Sequence, residues 1–177
     1  GGTFVTELRR PVEDWRARMR EHTGEIDDII DFRTALEAHA AALASRRRTR
    51  SDLAALRSAI RAIGSADSRA TFRLADSQFH GGVARAARSP RLETAIHSAR
   101  GELFSPHDLL VYQEPIEESR RDHQAIYDAI RDADPVAAAD LMREHVERTR
   151  EQLRVIVFGS EGASGRTLPA VPTPGSP

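Results

Sequence analysis

The sequence predicts an all-α fold, an antiparallel bundle of about six to seven helices. The composition is rich in Ala, Leu, Arg and Glu, which have high helix propensity. Apolar residues recur at the three- and four-residue spacing of helices, and strand-type alternation is missing after residue 8. A chain of 177 residues is long enough to form one domain with a full core.

The N-terminal segment differs from the rest of the chain. Residues 1–10 are typical of a turn leading into a short strand at residues 3–6, and no partner strand follows. Pro11 suits the first position of a polar helix that ends near Thr23-Gly24. We therefore expect residues 1–10 to be the end of a preceding domain with a linker, and residues 11–158 to form the helical domain.

Two helices are predicted next. The first runs from about Glu25 to Arg48. Its expected inner face comprises Ile26, Ile29, Ile30, Leu36, Ala40 and Leu43. The basic run at residues 46–50 falls at the C-terminus of this helix, where cations complement the helix dipole. Ser51 is expected to cap the second helix, which ends near Ile63.

The middle of the chain predicts another pair of helices. Asp67 or Ser68 caps a helix that extends to about Arg88. Its expected inner face comprises Phe72, Asp76, Phe79, His80 and Val83. The chain restarts at Ser89-Pro90 into a helix that extends to about Leu110, with Ser105-Pro106 as a candidate break.

Two further helices complete the predicted bundle. One runs from about Pro115 to Asp132, and the other follows the cap Asp134-Pro135 and ends near Phe158. The inner face of the first is expected to carry Ser119, His123, Ile126, Tyr127 and Ile130. That of the second is expected to carry Ala138, Leu141, Met142, His145, Thr149, Leu153 and Ile156. Residues 159–177 are rich in Gly, Ser and Pro and are expected to be disordered.

Composition excludes several classes of function. The chain has no Cys, so disulfides and thiolate metal ligands are impossible. No apolar run approaches the roughly 20 residues of a membrane span, and no signal peptide is visible. The net charge of −1 argues against nucleic-acid binding by this chain alone. We therefore expect a cytoplasmic domain without a membrane partner.

Four polar residues lie on the apolar faces of three predicted helices: Asp76, His80, His123 and His145. Each alone is more often a hydrogen-bonded core residue than a metal ligand. Together they are costly to bury unless a common partner satisfies them, and a divalent metal would do so. Imidazole and carboxylate ligands suit zinc first, with nickel, manganese and iron as alternatives. We expect one metal per protomer. The other histidines, His22, His39, His97 and His107, are expected on helix surfaces.

The combined motifs resemble a known family. They are Arg33-Thr34-Ala35-Leu36-Glu37, Asp76-Ser77-Gln78-Phe79-His80, His123-Gln124-Ala125-Ile126 with Asp128-Ala129-Ile130, and Met142-Arg143-Glu144-His145. Over about residues 28–156 the chain resembles the C-terminal effector-binding (FCD) domain of GntR-type transcription regulators, FadR subgroup. The resemblance implies that Asp76, His80, His123 and His145 bind the metal beneath a small-molecule pocket. Ser89 departs from the family pattern, which commonly has Asn before Pro-x-Leu.

The resemblance also implies partners. Residues 1–5 resemble the close of the winged-helix DNA-binding domain that precedes FCD domains, and that winged helix is expected to be absent from this chain. DNA would be bound only through it, in a bacterial, cytoplasmic homodimer. Small organic acids are the expected effectors, with Arg33 and Arg100 as candidate ligand-binding residues, although either arginine would also suit an ion pair.

Two other classes of function remain open from the sequence. The first is a metal-dependent enzyme in a helical bundle, because a metal site with open coordination can activate water. The chain lacks a His-Glu-x-x-His motif and the Glu-x-x-His pairs of di-iron bundles, so we expect no enzyme. The second is a purely structural metal site in a dimerisation domain.

Overall fold

The protein is an all-α bundle, as the sequence predicts. The computed structural model describes Ala17, Arg20, Glu21, residues 23–107 and residues 116–158. Its helices are α1 Thr23–Arg47, α2 Arg50–Gly64, α3 Arg69–Ala86, α4 Pro90–His107, α5 Ile116–Arg131 and α6 Pro135–Phe158. These ranges contain no strand. The expectations for residues 1–10 and 159–177, and for most of the helix that begins at Pro11, lie outside the described residues. None of the described helices is both long and apolar enough to cross a membrane.

Helix α1 is the central element, because it packs against α3, α4, α5 and α6. Its buried face includes Ile30, Arg33, Glu37, Ala41 and Ala44. Of the predicted face, Ile30 and Ala40 are buried, whereas Ile29, Leu36 and Leu43 are only half-buried at its margin. The face is rotated because Arg33 and Glu37 pair with each other and so occupy core positions that hydrophobicity alone assigns to leucine.

Ion pairs join α1 to α6 along one side of the bundle. Arg150 Nη1 lies 2.8 Å from Asp27 Oδ1, and Arg154 Nη2 lies 3.1 Å from the same oxygen. Thr34 Oγ1 also donates to Glu147 Oε1 at 3.2 Å. These contacts fix α6, which carries one of the predicted metal ligands, against α1.

The N-terminus of α2 corrects one prediction, because Thr49 and not Ser51 is the cap. Thr49 Oγ1 accepts from the Asp52 amide at 3.2 Å, and Asp52 Oδ2 accepts from the Thr49 amide at 2.8 Å. Such a reciprocal pair satisfies two backbone donors at once. A cap at Ser51 would have Ala54 in the returning position, which offers no acceptor.

Helix α3 buries every residue of its predicted inner face. Ser68 is its cap, one of the two candidates, and Thr71 returns the hydrogen bond. The helix lies very close to α2, since a Cβ added to Gly82 would be 2.9 Å from Leu56 Cδ2. The tight contact holds Asp76 and His80 on a rigid, fully packed element.

The ends of α3 and α4 differ from the predictions. Helix α3 ends at Ala86, and Arg88 adopts φ 53°, so the chain leaves the helix before the predicted end at Arg88. Helix α4 continues through Ser105-Pro106 to His107, and the candidate break there is wrong.

The link between α5 and α6 is a tight turn through Ala133, which adopts φ 60°. Asp134 then caps α6, as predicted, because its Oδ1 accepts from the amides of Val136 at 3.1 Å and Ala137 at 2.9 Å. The left-handed conformation is unfavourable for alanine by about 1 kcal/mol relative to glycine, which has no Cβ.

Ala133→Gly is therefore expected to raise the free energy of unfolding by up to about 1 kcal/mol, partly offset by the greater freedom of glycine in the unfolded chain. Urea denaturation followed by circular dichroism measures the change. Ala55→Gly is the matched control, because Ala55 is also exposed but lies inside α2. There the same substitution should lower the free energy of unfolding by about 1 kcal/mol. Destabilisation at both positions would contradict the strain at Ala133.

Candidate metal centre

The structure brings the four predicted metal ligands together. Asp76 and His80 lie on α3, His123 on α5 and His145 on α6. Their candidate donor atoms all lie within 4.8 Å of one another. His80 Nε2 is 3.3 Å from both His123 Nε2 and His145 Nε2, and His123 Nε2 is 3.2 Å from Asp76 Oδ1. The four side chains are buried or nearly so, and they form one cluster in the bundle interior.

The outer nitrogen of each imidazole has its own acceptor. His80 Nδ1 bonds to Glu37 Oε2, and His123 Nδ1 bonds to the Ser119 carbonyl oxygen at 2.6 Å. His145 Nδ1 lies 3.2 Å from Asp122 Oδ2. Carboxylate and carbonyl oxygens only accept, so each Nδ1 is the donor in its bond. The three Nε2 atoms point inward, towards one another and towards Asp76.

This donor set fits a divalent cation. Three imidazole nitrogens and one carboxylate oxygen converge on one point, and a cation at that point would be coordinated by all four. Burial, together with neighbouring His123, lowers the pKa of His145 to about 3, so this ring is neutral at pH 7 and its Nε2 is available. Hydrogen bonds on the outer nitrogens are the usual support for histidine ligands.

Asp76 is held as a carboxylate by Arg100. Burial alone would raise the pKa of Asp76, but Arg100, His80 and His123 together hold that pKa well below its usual value. Arg100 Nη2 lies 2.6 Å from Asp76 Oδ2, while Oδ1 faces the histidines. One oxygen is thus used for the ion pair and the other stays directed to the cluster.

Glu37 provides a second buried carboxylate. Burial would raise its pKa, but Arg33, His80 and Arg100 together hold it well below the usual value. Arg33 Nε donates to Glu37 Oε1 at 2.8 Å, and Arg100 Nη1 lies 3.7 Å from Oε2. The two arginines that the sequence singled out as ligand-binding candidates are therefore both buried in ion pairs beside the cluster.

A cavity of about 60 Å³ adjoins the cluster. It is lined by Asp76, His80 and His145 and by four arginines, Arg33, Arg73, Arg100 and Arg148. Phe72, Glu118, Ser119, Asp122, Thr149, Gln152 and Leu153 complete the wall. Arg33 and Arg100 thus reach both the cavity and an ion pair, and their part in ligand binding stays a prediction.

Sequence reasoning missed the roles of Glu37 and Asp122 beside the cluster. Glu37 lies one turn after Arg33, and its spacing to Ile30 and Ala44 was a usable signal for the buried face. Asp122 precedes His123 and bonds to His145 on another helix, a pairing that no sequence pattern predicts. His39 and His97 are exposed, as expected. The side chains of His22 and His107 lie outside the described residues.

Comparison with known proteins agrees with the motifs. Residues 28–148 match the FCD domain. The chain is also 32% identical over 157 residues to a protein of Mycobacterium gastri named "Putative HTH-type transcriptional regulator RmpR". The similarity covers 84% of this chain and 56% of that relative, so the chain spans about half of the relative's length. By the extent of the family match, the chain belongs to the FCD domain family.

Proposed function

We propose that this chain is the effector-sensing domain of a DNA-binding transcription regulator of the GntR type, FadR subgroup. Its effector is a small organic acid, and its site contains one divalent metal, zinc in the first instance. The observation that carries the proposal is the convergence of Asp76, His80, His123 and His145 beside a cavity lined by four arginines. The similarity to a protein named as an HTH-type regulator supports the regulatory role.

The metal would be held by Asp76 Oδ1 and by the Nε2 atoms of His80, His123 and His145. Three neutral histidines and one carboxylate leave a divalent ion with a net positive charge. When bound, the metal supplies a Lewis-acidic position for an oxygen of the effector. The cavity wall has four arginines against three carboxylates, so its net charge together with the metal is positive. An anion is therefore favoured there over a neutral molecule.

The arginines give this anion its geometry. A guanidinium binds a carboxylate through two parallel N–H bonds, which fixes orientation as well as charge. Arg33 lines the cavity from α1 and Arg148 lines it from α6. An acid bound by both would add a contact between two helices that the Asp27–Arg150 ion pair already joins. Its binding would thereby favour one arrangement of these helices over another.

A sensor must transmit that preference to DNA. We infer that the domain acts in a cytoplasmic homodimer, since two-fold operators are bound by two-fold proteins, and that a winged helix outside this chain contacts the DNA. The effector shifts the equilibrium between two dimer arrangements by its difference in affinity for them.

The carboxylates at the site favour a sensor over an enzyme. Asp76, Glu37 and Asp122 are each paired with arginine, and the pKa of each is lowered. A carboxylate whose pKa lies below its usual value is a weak base and a poor proton acceptor near pH 7. The groups closest to the proposed metal are therefore arranged to hold charge rather than to move protons.

Thermal unfolding of metal-loaded protein with a panel of small acids tests the proposal. Lactate, malate, succinate and citrate are suitable probes, and lactamide is the uncharged control. An acid at 100 times its Kd should raise Tm by about 5 °C or more, and lactamide should leave it unchanged. Failure of every acid to shift Tm, in protein shown to contain metal, would favour the structural-metal alternative.

A further inference from the structure

Glu37 lies at a junction between the candidate metal centre and the cavity arginines. Its side chain is buried on α1, whereas the four candidate ligands lie on α3, α5 and α6. The two carboxylate oxygens have separate partners. Oε1 accepts from Arg33 Nε at 2.8 Å, and Oε2 accepts from His80 Nδ1, with Arg100 Nη1 3.7 Å away.

We propose that Glu37 is a positioning residue that sets the orientation and the tautomer of His80, so that His80 Nε2 faces the metal as a lone pair. The inference rests on the metal site of the proposed function and adds a residue to it from a fourth helix. Without a defined acceptor, an imidazole can rotate by half a turn or carry its proton on either nitrogen. Glu37 removes that freedom because Arg33 holds its carboxylate in place.

The charge of Glu37 is essential to this role, as comparison with glutamine makes clear. A glutamine at position 37 has one acceptor and one donor group in place of two acceptors. Arg33 offers only donors, so the amide oxygen would turn to Arg33 and the amide NH₂ would turn to His80. Nδ1 of His80 would then have to accept, and its proton would move to Nε2. A proton on Nε2 occupies the position of the metal.

The other two histidines show that the arrangement is general in this cluster. Asp122 accepts from His145 Nδ1 and is held by Arg148, whose Nε lies 2.8 Å from Asp122 Oδ2. His123 uses the backbone carbonyl of Ser119. Of the two side-chain acceptors, Glu37 is the more deeply buried, with 3% of its side chain exposed against 18% for Asp122. Water can replace Asp122 more easily, so the largest effect is expected at Glu37.

Glu37→Gln is expected to weaken Zn²⁺ binding by about 10- to 100-fold, as measured by calorimetry without any acid present. The visible absorption spectrum of the Co²⁺-loaded protein should also change, because one imidazole no longer coordinates through Nε2. Glu151→Gln is the matched control, since Glu151 is exposed on α6. It should leave both measurements unchanged. Unaltered Zn²⁺ affinity in a folded Glu37→Gln protein would overturn the proposal.

A second measurement tests the proposal in the wild-type protein, where the outcome does not depend on the folding of Glu37→Gln. Nitrogen-15 NMR of the wild-type, metal-free protein reports which ring nitrogen carries the proton, with the His80 signals assigned by their loss in His80→Asn. We expect the Nδ1–H tautomer for His80 in wild-type protein and the Nε2–H tautomer in Glu37→Gln. An Nε2–H tautomer in the wild type would refute the proposal. Both experiments omit organic acids, so a failure to find an effector would leave their outcome intact.

Discussion

Replacing His123 by alanine is expected to lower the affinity for a divalent metal by roughly a hundred- to a thousandfold, which is about one ligand's share of a four-ligand site. His123 is fully buried, and its Nε2 lies 3.2 Å from Asp76 Oδ1 and 3.3 Å from His80 Nε2. Phe79 packs edge-on against its ring with centroids 4.4 Å apart. His145→Ala should have a comparable effect, because His145 Nε2 completes the same cluster.

Elemental analysis of protein purified without chelator, followed by Zn²⁺ calorimetry, measures these losses. His39→Ala is the matched control, because His39 is exposed on α1 and outside the cluster. Occupancy near one metal per protomer should persist in the control and fall in both other variants. Equal losses in all three would mean that the metal is bound without the cluster.

The candidate ligands were predictable because burying polar groups leaves a clear pattern. Asp76 and His80 lie one turn apart on an apolar face, and His123 and His145 interrupt two other apolar faces. A histidine on such a face needs a partner, and several such faces meet in a bundle core. The helices themselves were predictable because the spacing of apolar residues depends only on the local sequence.

The contacts around the cluster were much harder to predict. The buried face of α1 includes Glu37, which bonds to His80 on another helix, 43 residues later in the sequence. The pairing of Asp122 with His145 likewise depends on how α5 meets α6. The cap at Thr49 was easier to predict, because Asp52 three residues later is a local signal for a capping box. Pairings between distant helices require the packed structure.

The second large effect concerns the coupling between metal and effector. An acid that stabilises the metal-loaded protein is expected to bind about 100-fold more weakly once the metal is removed, because the metal supplies one of its two charged contacts. Linkage requires the converse, so the same acid should raise Zn²⁺ affinity by the same factor. Calorimetry of the acid with metal-free and metal-loaded protein, and of Zn²⁺ with and without the acid, measures every affinity in this thermodynamic cycle.

Arg33 tests the other contact of the acid. Arg33→Ala should weaken acid binding to the metal-loaded protein by about 10- to 100-fold, the worth of a charge-assisted pair. Arg33 also holds Glu37, so the variant should weaken Zn²⁺ binding even without acid, and the acid titration must use saturating metal. Arg143→Ala is the control, because Arg143 is exposed on α6 and absent from the wall of the cavity.

Equal acid affinity for metal-free and metal-loaded wild-type protein would mean that the metal takes no part in binding the effector. It would then be a structural ion, and the arginines alone would bind the acid.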